Sequence, residues 1–236
     1  MRRRVGILSL VNPARKHLPE VLMGDVQGRP LCEWAIRSAR EAARQAGVSH
    51  CMVALPEDEA IAGVALRLGV EIIPIPGLPN PTGVGDPEHG AAYGAVSARG
   101  LDWILEINPC FPFLTVKAHL AWIERAGKVS RPACAVLEQQ CIVWDENGNQ
   151  VIRWDPHDAA EPPLHYVPGG CYRVYPASLF GAPDPLPNAE LVPLPDGLEY
   201  RTCVYTEEDL ELTRCIARGF FRLPGESTLA NLTYPW

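Results

Sequence analysis

Two cations stand side by side at Arg15-Lys16, four residues after the apolar run Val5-Gly6-Ile7-Leu8-Ser9-Leu10-Val11. A run of that length fits a buried strand. Cations delivered just past its carboxyl end sit where open α/β sheets bind ligands. Asn108 is a second candidate: it follows the apolar run Asp102-Trp103-Ile104-Leu105-Glu106-Ile107 and brings an amide that can both donate and accept. His17, His89 and His165 fall in stretches that read as loops within reach of a substrate, although a lone histidine is more often structural or solvated. Cysteines stand at 32, 51, 110, 134, 141, 171, 203 and 215 with no Cys-x-x-Cys pair, so zinc-ribbon and thioredoxin-type chemistry lack their minimum spacing. Most lie in apolar runs, where a free thiol behaves as a small hydrophobe.

The elements that must position these residues alternate strand and helix. After the first strand and an irregular loop, Pro30 opens a helix with Leu31, Trp34, Ala35, Ala39, Ala42, Ala43 and Ala46 on one face, closed by Gly47. Cys51 to Leu55 reads as a strand. Pro56-Glu57-Asp58-Glu59 places acids at the start of a helix that Gly69 stops, and Val70 to Ile75 reads as a third strand. This β-α-β-α-β succession implies a parallel sheet with right-handed crossovers. Residues 76 to 90, rich in Pro and Gly, read as a loop, followed by a helix around 91 to 99 and the strand before Asn108. Thr115 can cap a helix to about Ala126, and Ala133 to Leu137 is a further strand. Around Asp145-Glu146-Asn147-Gly148-Asn149, residues 141 to 155 read as a projecting β-hairpin carrying Trp144 and Trp154. Gly170 to Tyr175 and Leu198 to Tyr205 complete the expected strands. Thr206-Glu207-Glu208-Asp209 resembles a capping box, with Asp in the Glu position, at the head of a last helix.

Bulk properties exclude several classes. The chain's 236 residues suit one α/β domain, with 47% hydrophobic and 21% charged residues. A net charge of -7 argues against a nucleic-acid groove, which needs clustered Lys and Arg. Arg2-Arg3-Arg4 ahead of the first apolar run could open a signal peptide, but that run is too short and a buried strand is the better reading. No stretch approaches the roughly 20 apolar residues of a membrane span, so a cytoplasmic protein is expected. The sequon Asn231-Leu232-Thr233 is then accidental.

In this order the motifs resemble those of the acylneuraminate and keto-deoxy-octulosonate cytidylyltransferases over about residues 4 to 218. Pro13-Ala14-Arg15 stands where that family has Pro-Ala-Arg after its first strand, and Gly28-Arg29-Pro30-Leu31 where it has Gly-Lys-Pro-Leu before an amphipathic helix. Asn108-Pro109-Cys110-Phe111-Pro112-Phe113 matches both prolines of a motif close to Gln-Pro-Thr-Ser-Pro-Leu. Tyr166-Val167-Pro168-Gly169-Gly170-Cys171-Tyr172 resembles Tyr-x-Pro-Asn-Gly-x-x-Tyr with one residue fewer, and Thr206 to Leu212 looks like the final helix. The family's Ser-Lys and Lys-Asn pairs are absent. Gly169 replaces its Asn, and Cys203-Val204-Tyr205 replaces an Asp-x-Asp.

The resemblance implies a single mixed, mainly parallel sheet flanked by helices, a Rossmann-like fold of the nucleotide-diphospho-sugar transferase type with a projecting hairpin. It implies one domain over residues 1 to 223 with a hairpin insertion at 139 to 165, and a C-terminal tail from 224 to 236. The reaction implied is attack of a sugar-acid hydroxyl, or that of a related acidic metabolite, on the α-phosphorus of CTP with release of pyrophosphate. The nucleotide would meet Ala14, Arg15 and Lys16, with Arg15 the first phosphate ligand, and the acceptor would meet Asn108, Tyr166 and Gly169. Mg²⁺ commonly neutralises charge in such a reaction. No carboxylates here match its ligands, although Asp86 and Glu88 could supply some, and no catalytic residue is assigned. The alternative is a lapsed homologue that binds nucleotide or a partner protein without turnover. In the resembled family the region after the fifth strand forms a dimer, so a homodimer through the hairpin is expected.

Overall fold

The computed structural model describes residues 3–11, 18–55, 58–74, 95–140, 164–180, 186 and 188–220. In chain order the elements are β1 (Val5–Leu10), α1 (Leu18–Leu22), β2 (Asp25–Val26), β3 (Arg29–Pro30), α2 (Leu31–Ala46), β4 (His50–Leu55), α3 (Glu59–Arg67) and β5 (Glu71–Pro74). Then come β6 (Trp103–Ile107), α4 (Val116–Ala126), β7 (Ala133–Gln140), β8 (Leu164–Pro176), a 3₁₀ turn (Ala177–Leu179), β9 (Glu190–Pro193), α5 (Leu198–Arg201) and α6 (Glu207–Phe220).

The main sheet has seven strands in the order β5-β4-β1-β6-β8-β7-β9. β5, β4, β1 and β6 are mutually parallel, and β9 is parallel to β7. β8 alone runs against both neighbours, β6 and β7. This is a mixed, mainly parallel sheet, as the sequence implied. β1 reads as a continuous apolar run because helices and loops cover both sheet faces. Ile7 belongs to the larger core with Trp34 and Ile36 of α2 and Trp122 and Ile123 of α4. Leu8 belongs to a second core, on the opposite face, with Met52, Ile73, Ile104 and Tyr175.

The helix boundaries follow local chemistry. Gly47 ends α2 at φ 65, a left-handed conformation that costs glycine nothing. Asp58 Oδ1 accepts from Ile61 N at 2.8 Å to start α3, and Thr115 Oγ1 accepts from Ala118 N at 3.1 Å to start α4. The capping box on α6 is formed in both directions. Thr206 Oγ1 accepts from Asp209 N at 3.1 Å, while Asp209 Oδ2 accepts from the N–H groups of Tyr205 (2.9 Å) and Thr206 (3.0 Å).

The structure corrects the sequence reading in three places. Residues 198–205 are not a strand: Leu198–Arg201 form a helical turn, and the extended stretch after it makes one backbone bond to the sheet edge, Val204 N to Cys110 O at 2.9 Å. β8 begins six residues before Gly170, which places His165 in a strand rather than a loop. β9 was not expected at all, because Pro193 closes it. An edge strand paired on one side tolerates that residue. The predicted helix around 91–99 is described only at its end, over 95–97. The expected hairpin at 141–155 and the tail at 224–236 lie outside the described residues; the flanks of the hairpin segment are the last rungs of the β7–β8 ladder, Gln139 opposite His165 and Gln140 opposite Leu164.

Candidate functional site at the carboxyl edge of the sheet

Because β1, β4 and β6 run parallel, their carboxyl ends share one edge. Leu10 lies beside Ala54, and Ser9 beside both Val53 and Ile107. Asn108 follows β6 directly at this edge, and its hydrogen bonds organise what surrounds it. Its backbone N–H donates to Cys171 O at 3.1 Å. Its side-chain Nδ2 donates to Gly170 O at 3.2 Å and to Tyr205 Oη at 3.0 Å, while Oδ1 accepts from Cys110 N at 3.0 Å. Three segments that the sequence reading singled out separately, 108–113, 166–172 and 203–205, therefore meet on one amide.

Two glycines let β8 pass this point. Gly170 has φ +73, which an L side chain rarely adopts. A Cβ at Gly169 would lie 2.8 Å from Leu194 Cδ1 and 3.1 Å from the Ala135 carbonyl oxygen, so the asparagine of the resembled motif does not fit here without displacing a neighbour. Gly169 is thereby a close-packing position. Tyr166 is 47% exposed on β8, opposite Glu138. It stands five residues along the strand from Cys171, roughly 16 Å at strand rise, so it is not brought to Asn108. Ala14, Arg15 and Lys16, like His17, His89, Asp86 and Glu88, lie outside the described residues. An open groove of about 830 Å³, lined by Arg3, Arg4, Val5, Gly47, Ile123 and Lys128, sits at the opposite edge, by the carboxyl ends of α2 and α4, and contains none of the predicted site residues.

The chemistry at the Asn108 edge is neutral. Burial, together with the neighbouring Cys203 thiol, pushes the Tyr205 phenol up to about 12, and burial pushes the Cys171 thiol up to about 12. Just behind the edge lie two buried polar networks that sequence reasoning missed. His119 of α4 is fully buried between Ser38 Oγ (3.0 Å from Nε2) and Tyr172 Oη (2.9 Å from Nδ1), and Trp122 stacks on Tyr172 at 5.0 Å. On the other sheet face Glu106 accepts from Tyr175 Oη at 2.7 Å and faces Arg173 at 3.4 Å, and burial raises its pKa. The only advance signal was a histidine or a glutamate embedded in an apolar run.

Searching solved structures finds similar architectures along nearly the whole chain. A 4-diphosphocytidyl-2C-methyl-D-erythritol synthase from Anaerococcus prevotii superposes with a TM-score of 0.62 at 9% identity, covering 92% of this chain and 99% of that one. A CMP:2-keto-3-deoxy-manno-octonic acid synthetase complexed with CTP gives 0.59 at 14% identity, covering 91% and 98%. The chain has the cytidylyltransferase fold. A cytidylyltransferase from Leptospira borgpetersenii agrees, with a TM-score of 0.57 at 14% identity over 97% of this chain and 92% of that one. No protein-family model matches the sequence, and neither does any curated protein. Among the described residues no helix is long and apolar enough to cross a membrane.

The fold and the resemblance together raise the question of Mg²⁺. Such an ion takes oxygen ligands, preferably carboxylates. The segment that replaces Asp-x-Asp offers a thiol at Cys203 and, at Tyr205, a phenol held neutral. Those residues do not fit a Mg²⁺ ion. Among the described residues no group of three or more His, Cys, Asp and Glu is arranged to hold a metal.

Proposed function

We propose that the protein is a nucleotidyltransferase of the cytidylyltransferase type, which transfers CMP from CTP to the hydroxyl of a sugar acid or a related acidic metabolite and releases pyrophosphate. The observation that carries this reading is the meeting of Asn108, Gly170 and Tyr205 at the carboxyl edge of the sheet. That fold is shared over 91% of the chain with a synthetase complexed with CTP. In this reading Ala14, Arg15 and Lys16 meet the triphosphate and Asn108 stands on the acceptor side, while Tyr166 and Gly169 serve the strand rather than the acceptor. Mg²⁺ would enter as the nucleotide's own counter-ion. The protein is cytoplasmic and works as a homodimer.

A second reading is favoured by one observation. The neutral segment Cys203-Val204-Tyr205 removes charge stabilisation that the transferred phosphoryl group needs, so the chain would bind nucleotide, or a partner protein, without turnover. Losing one preorganised donor already costs roughly a hundredfold to a thousandfold in rate. The two readings separate in one series. Thermal unfolding with CTP, GTP, UTP and ATP reports binding, since a ligand at a hundredfold excess over its Kd adds about 2.7 kcal/mol to the folded state. Pyrophosphate release with sialic and octulosonic acids reports turnover. Stabilisation by CTP with release on either acid supports transfer, and stabilisation with very slow or absent release on these two common acids favours the second reading. No stabilisation by any nucleotide would end both nucleotide readings.

A further inference from the structure

The Asn108 edge gathers amide, phenol and thiol groups. The side chains that meet there are Asn108, Tyr205 and Cys203, flanked by Cys110 and Cys171. The two with displaced pKa values, Tyr205 and Cys171, are displaced toward the neutral form. Two carboxylates near these segments in sequence are occupied elsewhere, and a third lies behind the edge. Asp209 Oδ2 is taken by the N–H groups of Tyr205 and Thr206, which it holds as the cap of α6. Glu106, two residues before Asn108, is turned to the other sheet face, where Tyr175 and Arg173 hold it. Glu199 is buried, with Oε2 lacking a hydrogen-bond partner, and it lies against Gly197. Its field acts on Tyr172 and Tyr200, behind the edge.

We infer that the carboxyl edge of β6 is a metal-free binding wall, which meets its ligand through hydrogen bonds, with no divalent cation seated on residues 203–205. The physical reason is the hard-ion preference for charged oxygen. A dication brought against a thiol, a neutral phenol and an amide must shed water without gaining the carboxylates that offset that loss. The segment is also not free to rearrange toward an ion. Val204 N is bonded to Cys110 O and Tyr205 Oη to Asn108 Nδ2, so adjacent residues of the segment are held by the turn that follows β6. The nucleotide arm of the test below rests on the function proposed above; the metal arm does not.

The metal arm titrates Mn²⁺ into the full chain alone and follows the signal of the free ion by paramagnetic resonance. The wild type should show no stoichiometric site, and Cys203→Asp, which returns one carboxylate to the wall, should bind Mn²⁺ about tenfold or more tightly than the wild type. Tyr205→Asp is the second variant, in case the first does not fold, and a thermal melt of each verifies folding. A stoichiometric Mn²⁺ site in the wild type overturns the inference, as does a folded carboxylate variant with no gain. The nucleotide arm measures CTP affinity by calorimetry with Mg²⁺ and with EDTA. Equal affinities support the wall, as does Mg²⁺-dependent affinity that Cys203→Ala leaves unchanged, because the ion then rides on the nucleotide. Mg²⁺-dependent affinity that Cys203→Ala abolishes overturns it while leaving the nucleotide reading intact. Absence of CTP binding under both conditions defeats the nucleotide reading, and the Mn²⁺ result then decides the wall by itself.

Discussion

Acidification should weaken this protein through one side chain, His119. Its ring is fully buried, and burial lowers its pKa from 6.5 to about 3. The surrounding bonds fit a single neutral tautomer. Ser38 Oγ donates to Ala35 O at 3.0 Å, so it accepts from Nε2–H, and Nδ1 is left to accept from Tyr172 O–H. Protonating Nδ1 would set two donors against each other at a fully buried ring. The folded ring therefore stays neutral while the unfolded chain takes up a proton below pH 6.5. A base whose folded pKa is depressed contributes stability that is intact above the unfolded pKa and lost as pH falls toward the folded one. Between pH 7 and pH 5 the loss is about 2 kcal/mol, and it hardly depends on the folded value as long as that stays well below 5. For a domain of this size it corresponds to about 4 to 8 °C in Tm.

Other groups titrate in the same window, so the assay is a difference. Urea unfolding of the wild type and of His119→Gln at pH 7 and pH 5 isolates the contribution of the one ring. The variant should be less stable at pH 7, by roughly 1 to 3 kcal/mol, because Ser38 and Tyr172 lose matched partners. Its decline toward pH 5 should nevertheless be shallower than that of the wild type by about 2 kcal/mol. Parallel declines would show that His119 is not held neutral and would refute the tautomer argument. The same bonds reach the candidate site, since Tyr172 neighbours Cys171, whose carbonyl accepts from Asn108 N.

Three further outcomes are expected. Tyr205→Phe removes the acceptor 3.0 Å from Asn108 Nδ2 and should destabilise the fold by about 1 kcal/mol while weakening CTP binding; a variant equal to the wild type in both would show that the bond carries nothing. Arg15→Ala should weaken CTP binding by roughly 1.5 to 3 kcal/mol in calorimetry, the scale of a hydrogen bond to a charged group, and unchanged affinity would remove Arg15 from the site. Light scattering at micromolar concentration should give a dimer mass, and a monomer would end the proposal that Trp144 and Trp154 lie in an interface.

What the sequence made legible follows from how local each cause is. Pro30 and Gly47 bound α2, and Thr115 and Thr206 begin α4 and α6, because caps act within one turn of the chain. The apolar runs of β1, β4 and β6 were equally legible, since a strand covered on both faces admits little else. The failures occurred where the cause was distant. Leu198 to Tyr205 has the aromatic and β-branched composition of a strand, yet only Val204 finds a backbone partner at the edge, and Leu198–Arg201 coil instead. Pro168 and Gly169 argue locally against a strand, but the β7–β8 pairing shifts register between Cys134 and Val136 and absorbs them. The site divides in the same way. Asn108 was found from its place at a strand end, but not its bonds to Gly170 and Tyr205, whose partners lie 62 and 97 residues away. Tyr166 shares a motif with Gly170 in sequence and is separated from it along β8. A motif fixes which residues travel together; in this chain the sheet register decides which of them arrive at the edge.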